Sequence, residues 1–377
     1  VTLLDSVQSA LSTVIDPELR KPITELGMVG EVEIDDDGAV RVRVLLTIAG
    51  CPLKGTITGD VESALARISG VTSVQVELDV MSQEQRDSLK DLLRPKRGNP
   101  FNEPGSLTKV FAVASGKGGV GKSSVTVNLA SSMAASGLRV GIIDADVHGF
   151  SVPGLLRITQ SPTRVDEMIL PPVAHGIKVI SIGMFLDSNR PVVWRGPMLH
   201  RALEQFLTDV YFGDLDVLLL DLPPGTGDIA ISVAQLLPAS QILVVTTPQS
   251  AAADVAERAG SLAVQTGQRV AGVIENMSWL ELPDGSRMEP FGSGGGSLVA
   301  ERLSATLETE IPLLGQIPLD VRLREGGDAG QPIVMTNPES PAAMELASVA
   351  SKLAAIPRGL SGLQLGVAPL SSGGSDR

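Results

Sequence analysis

One cysteine in 377 residues, Cys51, excludes an intrachain disulfide and fits a reducing compartment. Aromatic residues are scarce at 3%, so Trp194, Trp279 and the few phenylalanines suit packing better than a row of base-stacking platforms. His148, His175 and His200 show no ligand spacing, and a histidine-based metal site is not expected. Apolar residues reach 43% but are broken up by 40 Gly and 25 Pro, leaving no run long enough to span a bilayer. Basic residues are the minority: a net charge of -13 repels a polyanion, and the 30 Lys and Arg are scattered. Nucleic acid and stable membrane association are therefore not expected. No basic and apolar leader with a small-residue cleavage site opens the sequence, and the expected location is cytoplasmic.

What is present divides near residue 95. LLRPKRGNPFNEPGSLTK mixes charge with Pro and Gly and has no apolar period, which marks residues 93–108 as a linker. Before it, LLDSVQSALSTVI has helical spacing while VRVRVLLTI and VTSVQVELDV alternate like strands, so residues 1–92 are expected to form a small α+β domain. After it, KVFAVAS, RVGIID, IKVISIG, DVLLLDL, QILVVTT, RVAGVIEN and LLGQI alternate with helix-length segments over residues 109–356. Strands apolar on both faces and joined by helices imply an α/β domain with a mostly parallel, doubly wound sheet. Residues 357–377, rich in Gly, Ser and Pro, are expected to be a flexible tail, and there is no internal repeat.

The larger domain opens on GKGGVGKSS, which satisfies G-x-x-x-x-G-K-[ST] after a strand and before a helix, the context of a P-loop NTPase. Gly116, Gly118, Gly119 and Gly121 let backbone N–H groups converge on the β-phosphate of ATP, Val120 and Ser124 complete the loop, and the helix N-terminus adds its positive end. Lys122 neutralises the β and γ oxygens, and the Ser123 hydroxyl is the expected ligand of Mg2+. Two acidic clusters follow at strand ends, where open parallel sheets bind ligands. Asp146 of RVGIIDADVHG suits orientation of the attacking water and lies by the metal, with Asp144 beside it. Asp221 of DVLLLDLPPGTGD suits a water-mediated contact to Mg2+, ahead of a Gly/Pro switch loop.

Lys117 is surplus to that chemistry. GKGGVGKS resembles the deviant Walker A loop, in which the additional lysine reaches across a nucleotide-sandwich dimer to the partner's ATP. The resemblance implies a homodimer in which Lys117, Lys122 and Asp146 are catalytic. The spacing alone is equally consistent with a solvated lysine.

GKGGVGKSSVTVNLA, DADVHGFSVP, SIGMFL, WRGPM, DLPPGTGD and ENMS, in that order over residues 108–355, resemble the Mrp/ApbC family of iron-sulfur cluster carrier ATPases. IDPELRKPITELGMV and LTIAGCPLKGTI resemble the small MetS/PaaD-like domain often fused to it and linked to cluster assembly. The resemblance implies that Asn276 hydrogen-bonds adenine, that Pro318 lines the adenine pocket, and that iron-sulfur apoproteins or assembly proteins are the partners. Arg195 of WRGPM belongs to a family motif to which the chemistry assigns no role.

The chain departs from that family at one point. Its usual C-P-x-C pair is replaced after ENMS by Leu282, Pro283, Asp284 and Gly285, in a segment that reads as a hairpin turn. A cluster of that kind wants four thiolates, and a homodimer with one cysteine per chain supplies two. Cys51, in the turn-like AGCPL, is as well suited to burial as to a role as iron-sulfur ligand. Three functions follow: a cluster carrier, a nucleotide-switched adaptor of cluster assembly without its own cluster, and a positioning ATPase like MinD and ParA. The third fits least, because SKLAAIPRGLSGLQLGV makes a poor amphipathic anchor.

Overall fold

The computed structural model describes residues 2–48, 53–93, 98–103, 105–147, 149–165, 168–185, 196–225, 227–249 and 252–356. The N-terminal unit runs α1 (Leu3–Leu11), β1 (Val29–Ile34), β2 (Ala39–Leu46), α2 (Lys54–Leu65), β3 (Ser73–Val80) and α3 (Gln83–Leu93). Helix α1 begins at a capping box, in which the Thr2 hydroxyl accepts from the Asp5 N–H at 3.2 Å and the Asp5 carboxylate accepts from the Thr2 N–H at 2.9 Å. Val7 and Leu11, one turn apart, face inward. Strand β2 buries Val40, Val42 and Val44 while exposing Arg41 and Arg43. It pairs antiparallel with β1 and, through the α2 crossover, parallel with β3.

The larger unit continues as β4 (Lys109–Ala114), α4 (Lys122–Ala135), β5 (Val140–Asp144), α5 (Val152–Leu155), β6 (Thr163–Val165), β7 (Met168–Leu170), β8 (Val173–Ala174), β9 (Ile177–Ser181) and α6 (Gly196–Thr208). There follow β10 (Val217–Asp221), α7 (Asp228–Leu236), β11 (Gln241–Thr246), α8 (Ala252–Thr266), β12 (Arg269–Glu281), β13 (Arg287–Met288) and α9 (Gly295–Leu307). The last elements are β14 (Leu313–Leu319), α10 (Val321–Ala329), α11 (Ile333–Thr336) and α12 (Pro341–Ala355). The seven strands expected from the sequence form a parallel body in the order β14-β12-β11-β4-β10-β5-β9, with β8 and β13 antiparallel at its margins. Alternation along the strands divides the core in two. Val110, Ala112, Leu218 and Leu220 pack with α6 to α9 on one face, and Phe111, Val113, Val217 and Leu219 with α4 and α12 on the other.

Two features depart from the sequence expectation. Residues 99–102 of the expected linker are pinned to the larger unit: Pro100–Asn102 forms a 3-10 turn, Phe101 meets Phe212 edge-on at 5.9 Å, and the Asn99 and Asn102 amides donate to the Leu236 carbonyl at 2.8 and 2.6 Å. The two units also share a strand. Met168 and Leu170 of β7, with Val165 of β6, complete the core of the N-terminal unit, whereas Ile169 between them belongs to the core of the larger one.

Candidate functional site

The phosphate loop joins β4 to α4, and its glycines answer to space as well as conformation. A Cβ on Gly116 would lie 2.5 Å from Val255 Cγ2, and one on Gly121, whose φ is +81°, would lie 2.3 Å from Asn276 Nδ2. The loop lines a cavity of about 310 Å3 bounded by Ser115, residues 117–124, Asp146, Gly149, Ser151, Leu155 and Pro224. Gly116 closes the loop from behind, its carbonyl accepting from the Arg258 guanidinium at 3.2 Å.

Asp221 organises the floor. Fully buried, it takes the Lys122 ammonium at 2.7 Å, the Ser123 hydroxyl at 2.5 Å and the Thr126 hydroxyl at 2.9 Å. Lys122 is itself only 6% exposed, so the pair is charge-compensated and hydrogen-bonded as a buried pair must be. The sequence reading missed Thr126. Its signal was position, one helical turn beyond Lys122, where a hydroxyl faces the same acid.

Asp144 and Asp146 sit together at the end of β5. Asp144 accepts from the Asp146 N–H at 3.2 Å, the Ser181 hydroxyl at 3.1 Å and the Val152 N–H at 3.3 Å. Burial, reinforced by the charge of Asp221, raises its carboxyl to about 7 against the opposing hydrogen bonds and Lys122. Asp146, on the cavity wall, accepts from the Gly149 N–H at 3.1 Å. Asp144 and Ser181 therefore hold the segment that carries Asp146. The switch loop after Asp221 is tied back to β4 by the Gly225 N–H donating to the Ser115 carbonyl at 2.8 Å.

The Lys117 ammonium donates to the side-chain carbonyl of Gln249, just beyond β11. Asn276 directs its amide to the Val120 carbonyl at 2.9 Å and so braces the loop, and the adjoining Glu275 accepts from the Gly296 N–H at 2.5 Å and the Gln316 amide at 2.7 Å. Pro318 is next to Ile317, the register partner of Asn276, and lines a second cavity of about 370 Å3 with Leu280, Glu281 and Asp320. The structure thus joins Lys122, Ser123 and Asp146 around one cavity, with Asp221 buried behind Lys122 and Ser123, and sets Pro318 in another. The expected turn is present between β12 and β13, with the Gly285 N–H donating to the Leu282 carbonyl at 2.9 Å and Gly285 at φ +81°. The Arg287 guanidinium covers the Trp279 ring at 4.2 Å beside it. Cys51, His148, Trp194, Arg195 and the tail lie outside the described residues.

Comparison with known proteins agrees with this geometry. A family model described as NUBPL iron-transfer P-loop NTPase matches residues 106–354, and one described as iron-sulfur cluster assembly protein matches residues 4–78. An iron-sulfur cluster carrier protein of Mycobacterium tuberculosis is 60% identical over 97% of this chain and 96% of its own length. One from Deinococcus radiodurans is 44% identical over 93% and 94% respectively. Among solved structures, a nucleotide-binding protein from Archaeoglobus fulgidus, in complex with ADP and with cobalt present, is similar at 37% identity and a TM-score of 0.53, covering 63% of this chain and 90% of that one.

Proposed function

The chain belongs to the family of NUBPL iron-transfer P-loop NTPases, and from that membership we propose that it binds and hydrolyses ATP and carries iron-sulfur clusters to apoproteins or assembly proteins in the cytoplasm. The observation that carries the reading is the convergence of Lys122, Ser123 and Thr126 on buried Asp221 beneath a glycine loop. The residues present suit a magnesium ion, since the Ser123 hydroxyl and the Asp221 carboxylate are hard oxygen donors already held together and Asp146 lines the same cavity. These three would hold it, and when bound it neutralises charge on the phosphate oxygens.

The protein's own residues do the rest. Backbone N–H groups of residues 116–124 bind the β-phosphate, and Lys122 exchanges part of its contact with Asp221 for phosphate oxygens. Asp146 orients the attacking water, held in place through Asp144. Asn276, which fixes the loop at Val120, contacts the base, while Pro318 lines a separate cavity. Lys117 leaves Gln249 to reach the nucleotide of a second copy, so that hydrolysis opens and closes a homodimer and turnover is slow. Cluster cargo rests on fewer thiolates than the family's usual pair from each chain, with Cys51 the one thiol available. That shortage favours a second reading, a nucleotide-switched adaptor that holds no cluster of its own. No helix among the described residues is long and apolar enough to cross a membrane.

Anaerobic reconstitution with iron and sulfide, followed by quantitation of both and by ATP turnover, tests the assignment. Turnover with transferable iron supports the carrier, turnover without iron the adaptor, and neither overturns both.

A further inference from the structure

Beyond Asp146, on the wall of the nucleotide cavity, the chain makes an excursion that returns beside Asp144 at Ser181. Asp144 ends β5, Ser181 ends β9, and the hydrogen bond between them at 3.1 Å closes the excursion. The outgoing limb carries Asp146 and is tied to Asp144 again at Val152. Midway, β6 and β7 enter the N-terminal domain, where Val165, Met168 and Leu170 lie in one core with Val7, Leu11 and Val44. On the return limb, the Gly176 carbonyl accepts from the Arg20 guanidinium. Lys178, 1% exposed, follows on β9, in electrostatic reach of Asp16 and Glu18, both of them buried. It rests against Tyr211, 5.0 Å from the ring centroid. Asp16 holds the N-terminal side rigid, its carboxylate accepting from the Glu18 and Leu19 N–H groups at 2.9 and 2.7 Å.

A close-packed strand whose alternate side chains fill two cores cannot move for one without disturbing the other. Strand β7 is such a strand, and its chain begins and ends at the acid that positions Asp146. We propose that this excursion couples the two domains: nucleotide bound beside Asp146 alters the docking of the N-terminal domain, and docking alters nucleotide affinity by the same factor. The equality follows from linkage, which makes coupling between two binding equilibria reciprocal. The proposal rests on the nucleotide reading above and goes beyond it, making the small domain a regulator of the large one.

The test is hydrogen exchange of the full-length protein with and without ADP, joined to ADP affinity in Arg20→Ala and Glu18→Lys. Expected is protection of residues 116–124 together with a changed exchange rate, about threefold or more, in residues 14–23 and in β6 and β7. Each variant should shift ADP affinity about fivefold, the lower range of allosteric coupling. Where Glu18→Lys unfolds the smaller domain and so disturbs β7 by packing alone, the comparison rests on Arg20→Ala, which removes the hydrogen bond to Gly176. Protection confined to residues 116–124, with unshifted affinity in both variants, overturns the coupling and leaves nucleotide binding standing. No protection anywhere overturns the nucleotide reading and the coupling with it.

Discussion

The Lys117 ammonium is hydrogen-bonded to the Gln249 side-chain carbonyl of its own chain. If Lys117 serves a partner's phosphate as proposed, it must break this contact, and it is then dispensable for binding and necessary for turnover. Lys117→Ala is expected to bind ATP with affinity within about threefold of the parent, well under 1 kcal/mol, and to lose hydrolysis. Mixing Lys117→Ala with Asp146→Ala should restore part of the activity, since one composite site keeps both residues. If titration calorimetry finds binding intact and no mixture regains activity, catalysis across two chains is wrong.

Lys122→Ala removes the charge that meets the phosphates and leaves Asp221 buried without its cation. Nucleotide binding and turnover should vanish. Breaking a buried pair costs about 3–5 kcal/mol, and the hydroxyls of Ser123 and Thr126 keep this case near the lower end. Normal affinity by calorimetry, or an unchanged denaturation midpoint, would remove Lys122 from the site.

The charged contact between the domains sets a pH dependence. Burial, with Asp16 adding like charge against the opposing Lys178, raises the Glu18 carboxyl from 4.5 to about 7. A raised acid binds its proton more tightly in the folded state, so its stabilisation is complete below pH 4.5 and is lost as pH rises to about 7. Burial and the neighbouring Arg20 lower Lys178 from 10.5 to about 8, so stability returns between those values. Denaturation should therefore be easiest near pH 7 to 8, with Glu18 contributing at most about 3 kcal/mol of the fall from pH 5 at about 1.4 kcal/mol per unit and Asp144, raised likewise to about 7, adding to it. Glu18→Gln should make the acid limb shallower, leaving the part that Asp144 contributes, and a parent curve flat from pH 5 to 7 would refute the assignment.

Iron content follows from the ligand count. Little iron is expected after aerobic purification, at best a weak cluster after reconstitution, and none in Cys51→Ala, read by visible absorbance and iron assay. A robust four-iron spectrum surviving Cys51→Ala would show another ligand set.

If two chains pair as proposed, Leu282→Cys with Gly285→Cys should bind iron more tightly across that dimer. Gly285 has φ +81° in a closed turn, so a side chain there costs about 1 kcal/mol and the turn must open to receive a metal. A double variant with parental stability and parental iron would show that this loop does not meet its copy.

Lys122, Ser123, Asp146 and Asp221 were legible in the chain because each is tied to a local signal: a glycine-rich spacing, or an acid ending a continuous apolar run. The seven parallel strands were legible for the same reason, since a strand buried on both faces leaves little room for polar residues. Ser181, Gln249, Arg258 and Glu275 carry no such mark, because each acquires its role only when a distant segment is brought to it. The linker shows the same limit: composition marks residues 99–102 as part of a linker, but Phe101 and the Leu236 carbonyl that pin them belong to tertiary packing. Strand β7 is the clearest case. Its three residues read as an ordinary apolar run, and only the meeting of two cores decides that Ile169 serves one domain while Met168 and Leu170 serve the other. Periodicity specifies which face of an element is apolar, whereas what covers that face is settled by contacts between residues far apart in the chain.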